Sequence, residues 1–224
     1  ARVRFLVEES GFFESNFLAL EGLIRRDRFS AMFGLVGMAE CVNDLLAKEG
    51  IEGRFGHSEA ADKLGVEIME QINAFCNAHP APYCEATGGH YLLHAQVGMD
   101  YDKNSTPGTR IPVGEEPAEL IDHLKNINLF HKYFISGAGD IFPVDLTVHK
   151  NHKFLLDIIR GSFDLEIRYL SFYGSDSDVI RVTGYLAKRS EIEKLAEGHN
   201  VLLNTTGLAL GATRNCHAQD RRVR

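Results

Sequence analysis

Hydrophobic positions recur along this chain with two periods, one typical of helices and one typical of strands. The helical period is clearest from Ser58 to Cys76, where Ser58 can cap the first turn and Glu59 and Asp62 follow it. One apolar stripe on this segment contains Ala61, Leu64, Ile68, Met69, Ile72, Phe75 and Cys76. The spacing predicts an amphipathic helix whose stripe packs on a core.

Strand-like runs precede and follow helical segments. Phe29 to Val36 predicts a buried strand that leads through Gly37 into a helix from Met38 to Glu49, stopped by Gly50. Further strands are predicted at Tyr91 to Ala95 and, buried and alternating, at Leu165 to Phe172. Strand, glycine turn and helix in this order indicate the α/β class, with the Ser58–Cys76 helix packed outside.

The remaining segments are shorter or more polar. Residues 98–117 are rich in Gly and Pro and predict a long surface or active-site loop, and Ser136 to Asp140 predicts a second loop. Short helices are predicted from Ala118 to Lys125 and from a cap at Asn151 to Gly161. No internal repeat or domain boundary is evident, so residues 1–224 are expected to form a single unit.

Composition narrows the class of function. The apolar fraction is 44%, the charged fraction 25% and the net charge −7, which argues against a nucleic-acid or anionic-membrane surface. The four cysteines form no paired framework and no apolar run is long enough to span a bilayer, which favours a reduced, cytoplasmic protein. The chain starts without Met inside a helical pattern, so we expect it to be a fragment of a longer protein.

The most informative stretch is Val179 to Leu186, a β-branched run interrupted by Gly184 between Thr183 and Tyr185. A glycine in a strand often marks a bulge or a close backbone approach, and this is the simpler interpretation. Ser190 and Glu193 then form a capping-box pattern for a short helix that ends at Gly198.

Three segments together resemble a known family: Met32 to Glu40, Thr106 to Pro112, and Arg181 to Tyr185, which reads Arg-Val-Thr-Gly-Tyr. They are similar to the C-terminal portion of the YjjI-like branch of the glycyl radical enzymes. The resemblance implies that Gly184 stores an unpaired electron on its Cα, within a radical loop and following helix at residues 176–198. It also implies that the chain is the later part of a ten-stranded α/β barrel.

The same resemblance implies partners and chemistry. An S-adenosylmethionine-dependent, iron–sulfur activating enzyme would install the oxygen-sensitive radical, and no cofactor or metal would stay bound to the chain. The substrate would be a small molecule that the sequence does not identify, and a homodimer is left open. Because a replacement for a damaged glycine loop needs little beyond the loop itself, the length of the chain favours an enzyme. The alternative is a non-enzymatic radical-domain spare part or a binding module that retains the fold.

Such enzymes also use a cysteine that passes its hydrogen to the glycyl radical. Cys41 follows a glycine turn, but Val42, Leu45 and Leu46 place it a turn inside a helix, where a cysteine is usually a small apolar core residue. We therefore predict a structural role for Cys41 and expect the thiyl cysteine upstream of this chain.

Two other clusters of chemically active residues carry weaker signals. Cys76, His79, Cys84, His90 and His94 are close in sequence, but two prolines intervene and the spacing is not that of a paired zinc site. Among the glycyl radical enzymes that the chain resembles, the anaerobic ribonucleotide reductases carry a Cys-x-x-Cys zinc pair close to the glycyl motif. No such pair lies near Gly184, which argues against that activity. His149, His152 and Asp145 are explained more simply by the start of a helix.

Overall fold

The computed structural model describes residues 2–95, 105–182 and 185–201. The helices are α1 (Arg2–Arg4), α2 (Phe12–Ser15), α3 (Phe17–Leu20), α4 (Met38–Glu49), α5 (Glu59–Ala78), α6 (Leu120–His131), α7 (Leu146–Lys150), α8 (His152–Asp164) and α9 (Arg189–Ala196). The strands are β1 (Met32–Leu35), β2 (Leu92–Ala95), β3 (Phe142–Val144), β4 (Phe172–Gly174), β5 (Val179–Val182) and β6 (Tyr185–Lys188). A π-helical turn covers Phe5–Glu9, and 3-10 turns cover Arg26–Arg28 and Glu85–Thr87.

Helices α4 and α5 confirm the sequence prediction in type and nearly in extent. Helix α4 begins after Gly37 and ends where Gly50 adopts a left-handed conformation with φ of 66°. The Ser58 side chain caps α5 by accepting a hydrogen bond from the Ala61 amide, as predicted. Leu64, Ile68 and Ile72 are half-buried against the core.

The strands form pairs that fit an α/β protein. Strand β1 pairs in parallel with β2, and β3 pairs in parallel with β4, with helices between the members of each pair. A bridge from Ala95 to Ala138 extends the β2 edge. Strands β5 and β6 pair antiparallel. The α/β class is therefore supported, while the described residues contain three two-stranded sheets and no closed barrel.

One main core lies between α4, α5, α6 and the parallel strands. Its fully buried members include Val42, Met69, Phe130, Phe134 and Phe142. Ile180 of β5 and Ala187 of β6 form a second, smaller cluster with Ile192 of α9 packed on it. The β5–β6 hairpin thus has an apolar contact of its own.

The prediction of a buried strand from Leu165 to Phe172 is wrong. Helix α8 continues past Gly161 to Asp164, and β4 begins only at Phe172. Glu166 has a φ of 61°, a left-handed conformation that interrupts any extended run. The Ile167 amide donates to the Ser162 carbonyl, so the start of this stretch ends the helix, and sheet pairing begins only at its last residue, Phe172.

Burial also differs from prediction at several places. Met32 and Phe33 of β1 are 54% and 42% exposed, and Phe75 of the α5 stripe is 58% exposed, although all three were predicted to be buried. Conversely, Thr109, Arg110 and Ile111, within the predicted surface or active-site loop, are at most 2% exposed, so this part of the loop does not lie on the surface. Alternation or helical spacing identifies an apolar face but not whether another segment covers it.

Two helix boundaries were also missed. Helix α6 runs six residues beyond the predicted end at Lys125, to His131. The predicted capping box at Ser190 is wrong because Ser190 lies inside α9. Its amide and hydroxyl instead donate to the Asp178 carboxylate.

No helix in the described part of the chain is long and apolar enough to cross a membrane.

Candidate functional site

The segment with the resemblance to a radical motif is the β5–β6 hairpin. Val182 lies opposite Tyr185 and Arg181 opposite Leu186 in the antiparallel register. Thr183 and Gly184 separate the paired residues in sequence and lie outside the described residues, so the predicted radical site itself stays a prediction. The alternation of a strand places Ile180 and Arg181 on opposite faces.

Arg181 joins this hairpin to the segment at Asp140 and Ile141. Its side chain is 2% exposed and its Nη2 lies 2.6 Å from Asp140 Oδ1. Its Nη1 donates to the Ile141 carbonyl at 2.8 Å and lies 3.4 Å from Glu116 Oε1. A planar guanidinium suits such contacts because its donors point in several fixed directions.

Asp140 forms the centre of this polar cluster and is 1% exposed. Its Oδ1 accepts the Ile141 amide at 2.8 Å, and its Oδ2 lies 2.9 Å from Nε2 of His123 on α6. Burial by itself raises the pKa of Asp140. The Arg181 guanidinium, His123 and Arg110 outweigh burial and hold this pKa well below its usual range. The carboxylate is therefore ionised, and His123 Nε2 is the donor toward it.

The other two segments of the resemblance contact each other directly. The Gly37 amide donates to the Thr106 carbonyl at 2.7 Å, and the Gly108 amide donates to the Leu35 carbonyl at 2.8 Å. The Thr106 hydroxyl also donates to a carboxylate oxygen of Glu40 in the first turn of α4. These bonds hold residues 105–108 along the end of β1.

Gly108 is required at this contact by its conformation and by space. Its φ is 65°, and a Cβ there would lie 3.3 Å from the Ala95 Cα on the neighbouring strand. Two residues later, Arg110 is buried close enough to Asp140 to help lower the pKa of that carboxyl. All three segments of the resemblance therefore lie in one region of the fold. The first contacts the second, and the second and third approach Asp140 through Arg110 and Arg181.

Sequence reasoning missed the acidic and imidazole partners of this cluster. Asp140 was placed in a predicted loop and assigned no role, and His123 and Glu116 were not singled out. A single signal was available, a carboxylate at the end of the glycine-rich stretch Ser136–Asp140 before an apolar run. No local sequence pattern indicates that this carboxylate pairs with an arginine forty-one positions later.

The prediction that Cys41 is a core residue is wrong. Cys41 lies in the first turn of α4, as predicted, but it is exposed and is not part of the core. The buried face of α4 consists of Met38, Ala39, Val42 and Leu46. Cys41 is rotated away from those positions around the helix, so its side chain falls on the uncovered side. The structural role expected for Cys41 stays a prediction.

The two weaker clusters occupy ordinary positions. Cys76 and Cys84 are buried as free thiols, and burial raises the pKa of the Cys76 thiol. Asp145 caps α7 by accepting the Thr147 amide at 2.9 Å, and Asn151 caps α8 through the Phe154 amide. Within residues 2–95, 105–182 and 185–201, no three His, Cys, Asp or Glu side chains gather as a metal ion would require.

A surface cleft of about 670 Å³ opens between the start of α5 and α6. Its walls include His57, Asp62, Lys63, Lys125 and Asn126. Burial raises the pKa of Asp62 even though its carboxylate accepts the Gly56 amide. No member of the Asp140 cluster lines this cleft.

The described residues thus form an α/β framework in which Arg181, on the first strand of a hairpin, contacts the buried carboxylate of Asp140 and the carboxylate of Glu116. The family model of the YjjI-like glycyl radical enzymes matches residues 1–224, so the chain belongs to that family. It is 45% identical over 226 aligned residues to a Haemophilus influenzae protein described as uncharacterized. It is 40% identical over 225 aligned residues to the uncharacterized protein YjjI of Escherichia coli K12. All of the chain is aligned in both cases, and it spans 44% and 43% of those relatives' lengths.

Proposed function

We propose that this chain carries the radical site of a glycyl radical enzyme and that Gly184 stores an unpaired electron on its Cα. The observation that supports this most is the environment of Arg181, the first residue of Arg-Val-Thr-Gly-Tyr. It is buried and contacts two carboxylates, which ties the motif to the region where the two other matching segments lie. A glycine that merely ends a surface strand would need no such attachment.

Glycine suits this role for two physical reasons. A planar Cα radical is stabilised between the amide nitrogen and the carbonyl, and a Cβ would crowd that planar form. Glycine also adopts backbone conformations that other residues avoid. Gly184 follows Arg181 by three positions, so at about 3.3 Å per residue it lies within roughly 10 Å of chain from the buried anchor.

Formation of the radical requires a partner, because removal of a Cα hydrogen atom needs a radical that a cofactor generates. An S-adenosylmethionine-dependent, iron–sulfur activating enzyme would generate a carbon radical that takes one hydrogen atom from Gly184. The glycine then holds the unpaired electron without a change in charge. Exclusion of oxygen and water would protect it during turnover.

In the proposed enzyme the radical acts on a small-molecule substrate through a cysteine thiyl. That cysteine is proposed to lie in sequence outside this chain, in keeping with relatives that are more than twice as long. Hydrogen passes from the cysteine thiol to Gly184, and the resulting thiyl radical attacks the substrate. A reduced cytoplasmic setting, and a homodimer as an open possibility, belong to the same proposal.

Cleavage by air tests the storage of the radical. After anaerobic activation of the full-length protein, exposure to air is expected to cut the backbone at Gly184. Oxygen adds to the Cα radical, and the peroxyl species that results fragments the chain. Mass spectrometry is expected to find a released C-terminal piece that begins around Tyr185.

The controls separate chemistry from folding. Gly184→Ala is expected to stay intact, while Thr183→Ala and Gly161→Ala are expected to be cut like the unaltered protein. Gly161 lies inside α8 with open space around a Cβ, so it is a matched glycine-to-alanine change. An unaltered protein that stays whole in air, while its activating enzyme cleaves S-adenosylmethionine, would contradict the proposal.

A further inference from the structure

Asp140 is held from several sides by groups that are themselves buried. Its Oδ2 accepts a hydrogen bond from His123 Nε2, and its Oδ1 accepts one from the Ile141 amide. His123 is 3% exposed and lies on α6, with its ring edge against Phe142 at a centroid distance of 4.8 Å. The carboxylate therefore has a fixed place relative to the main core.

The hairpin meets that fixed carboxylate through Arg181. One guanidinium nitrogen lies 2.6 Å from Asp140, and the other reaches the Ile141 carbonyl and Glu116. Glu116 is also oriented, because its Oε2 accepts the Gly114 amide at 2.9 Å. Asp140 and the Ile141 carbonyl contact Arg181 from one segment, and Glu116 contacts it from another. These three acceptors define how deeply the Arg181 side chain inserts and how its guanidinium is rotated.

We infer that Asp140, held by His123, is a positioning residue that sets the place of the hairpin and, on the proposed function, of Gly184. It acts through Arg181 and does not itself touch the radical. An apolar contact could hold the hairpin on the core but would leave it free to slide, because dispersion contacts have little directional preference. The ion pair and its flanking hydrogen bonds fix a single register.

The inference rests on the proposed function for its consequence at Gly184 but not for its geometry, so two readouts separate the parts. The first is amide hydrogen exchange of Ile180 and Ala187, which lie opposite each other in the hairpin, so it reports on the hairpin in the absence of any radical. The second is the radical yield per chain after anaerobic activation. Both are measured on the full-length protein carrying Asp140→Asn, a change that keeps the shape and removes the charge.

Asp140→Asn is expected to speed exchange of the hairpin amides at least tenfold, with the amides of α4 unchanged, and to lower radical yield by a similar factor. Arg181→Lys keeps the positive charge but lacks the guanidinium fork, and it is expected to have the same effects in weaker form. If Asp140→Asn fails to fold, Arg181→Lys alone decides the question on both readouts.

Two controls distinguish positioning from a general loss of stability. Glu115→Gln breaks the neighbouring surface ion pair with Arg54 and is expected to leave both readouts unchanged. Met69→Ala removes a fully buried side chain of α5 and lowers the melting temperature, yet it is expected to retain hairpin protection and radical yield.

Each outcome bears on the inference separately from the proposed function. Hairpin exchange that is unchanged in both Asp140→Asn and Arg181→Lys would overturn the inference whether or not a radical forms. Faster exchange with full radical yield would also overturn it, because Gly184 would then not depend on the anchor. An unaltered protein without a radical contradicts the proposed function, while the exchange data still decide whether Asp140 positions the hairpin.

Discussion

At the residue scale, His131 is a buried imidazole whose protonation opposes folding. It is 1% exposed, and its Nδ1 accepts the Arg168 amide at 3.0 Å. Burial, assisted by the charge of Arg168, lowers the pKa of His131 to about 4, although Asp140 acts in the opposite direction. The unfolded chain therefore binds a proton at this residue near pH 6.5, where the folded chain does not.

This difference predicts a loss of stability as the pH falls from 6.5 to 4. At about 1.4 kcal/mol per pKa unit, the loss from His131 is at most about 3 kcal/mol. His131→Asn keeps an acceptor for the Arg168 amide and removes the titration, so it is expected to flatten this part of the profile. Denaturant unfolding across this range measures it, and an equal slope in both proteins would refute the assignment.

The Asp140 carboxyl contributes in a different pH window. Its pKa is lowered on folding, so its stabilisation is present above the unfolded value near 3.8 and is lost as the pH falls below it. We expect Asp140→Asn to leave the slope between pH 6.5 and 4 intact. The same unfolding series checks this, and a slope removed by Asp140→Asn would show that the two titrations had been assigned to the wrong residues.

Cys41 gives a third prediction at the residue scale. Because its side chain is exposed, Cys41→Ala is expected to change the free energy of unfolding by less than about 0.5 kcal/mol. Radical yield and any turnover in the full-length protein are expected to persist. Loss of turnover in a folded variant that still forms the radical would instead make Cys41 the thiyl residue.

Arg181 and Cys41 show which properties of single residues could not be predicted from the sequence. Arg181 was recognised as part of a motif, but its partners come from Asp140 and Glu116, far away in the chain. Long-range pairing of this kind leaves no local pattern, because periodicity reports only a residue's own element. The assignment of Cys41 to the core failed for a related reason, since a helix face is known only when the covering segment is known.

At the element scale, two helical glycines have opposite surroundings. A Cβ on Gly65 of α5 would lie 2.8 Å from the Phe55 ring and 3.3 Å from the Phe130 ring, both buried. A Cβ on Gly161 of α8 would meet nothing within 4 Å. The first glycine allows close packing, and the second weakens its helix without a packing reason.

Gly65→Ala is therefore expected to lower the free energy of unfolding by about 1–3 kcal/mol through overpacking. Gly161→Ala is expected to raise it by about 0.5–1 kcal/mol, because alanine favours the helix. Denaturant unfolding of both variants measures the difference. Changes of the same sign would show that local helix propensity, and not the space around α5, governs the two sites.

Elements with strong local signals could be predicted from sequence. Capping by Ser58, a long apolar stripe and the stop at Gly50 were sufficient for α4 and α5. Leu165 to Phe172 alternates like a strand, yet the end of α8 uses its backbone groups and Glu166 turns the chain. Hydrogen bonds at a helix end outweighed alternation there.

At the scale of the whole molecule, apolar side chains of the β1 sheet remain uncovered. Met32, Phe33 and Val36 are each at least 40% exposed, whereas parallel sheets are usually covered on both faces. The two relatives are more than twice as long as this chain. The ten-stranded barrel implied by the resemblance stays a prediction, because the described residues contain three two-stranded sheets and no closed barrel.

Residues 1–224 with only an activating enzyme are accordingly expected to show no turnover. The proposed thiyl cysteine and part of the enclosing wall would be supplied by additional sequence. Candidate small molecules can be screened anaerobically for consumption by this chain and by the full-length protein in parallel. Turnover by residues 1–224 alone would contradict this expectation and would make Cys41 a candidate for the thiyl cysteine.

The central claim, a radical on Gly184, is tested most directly by electron paramagnetic resonance of the anaerobically activated full-length protein. We expect a carbon-centred doublet, split by the one hydrogen left on the Cα. Protein grown with α-deuterated glycine is expected to lose the resolved splitting, Gly184→Ala to lose the signal, and Gly161→Ala to keep the doublet. No signal, or a splitting unchanged by deuterium while S-adenosylmethionine is being cleaved, would contradict the account.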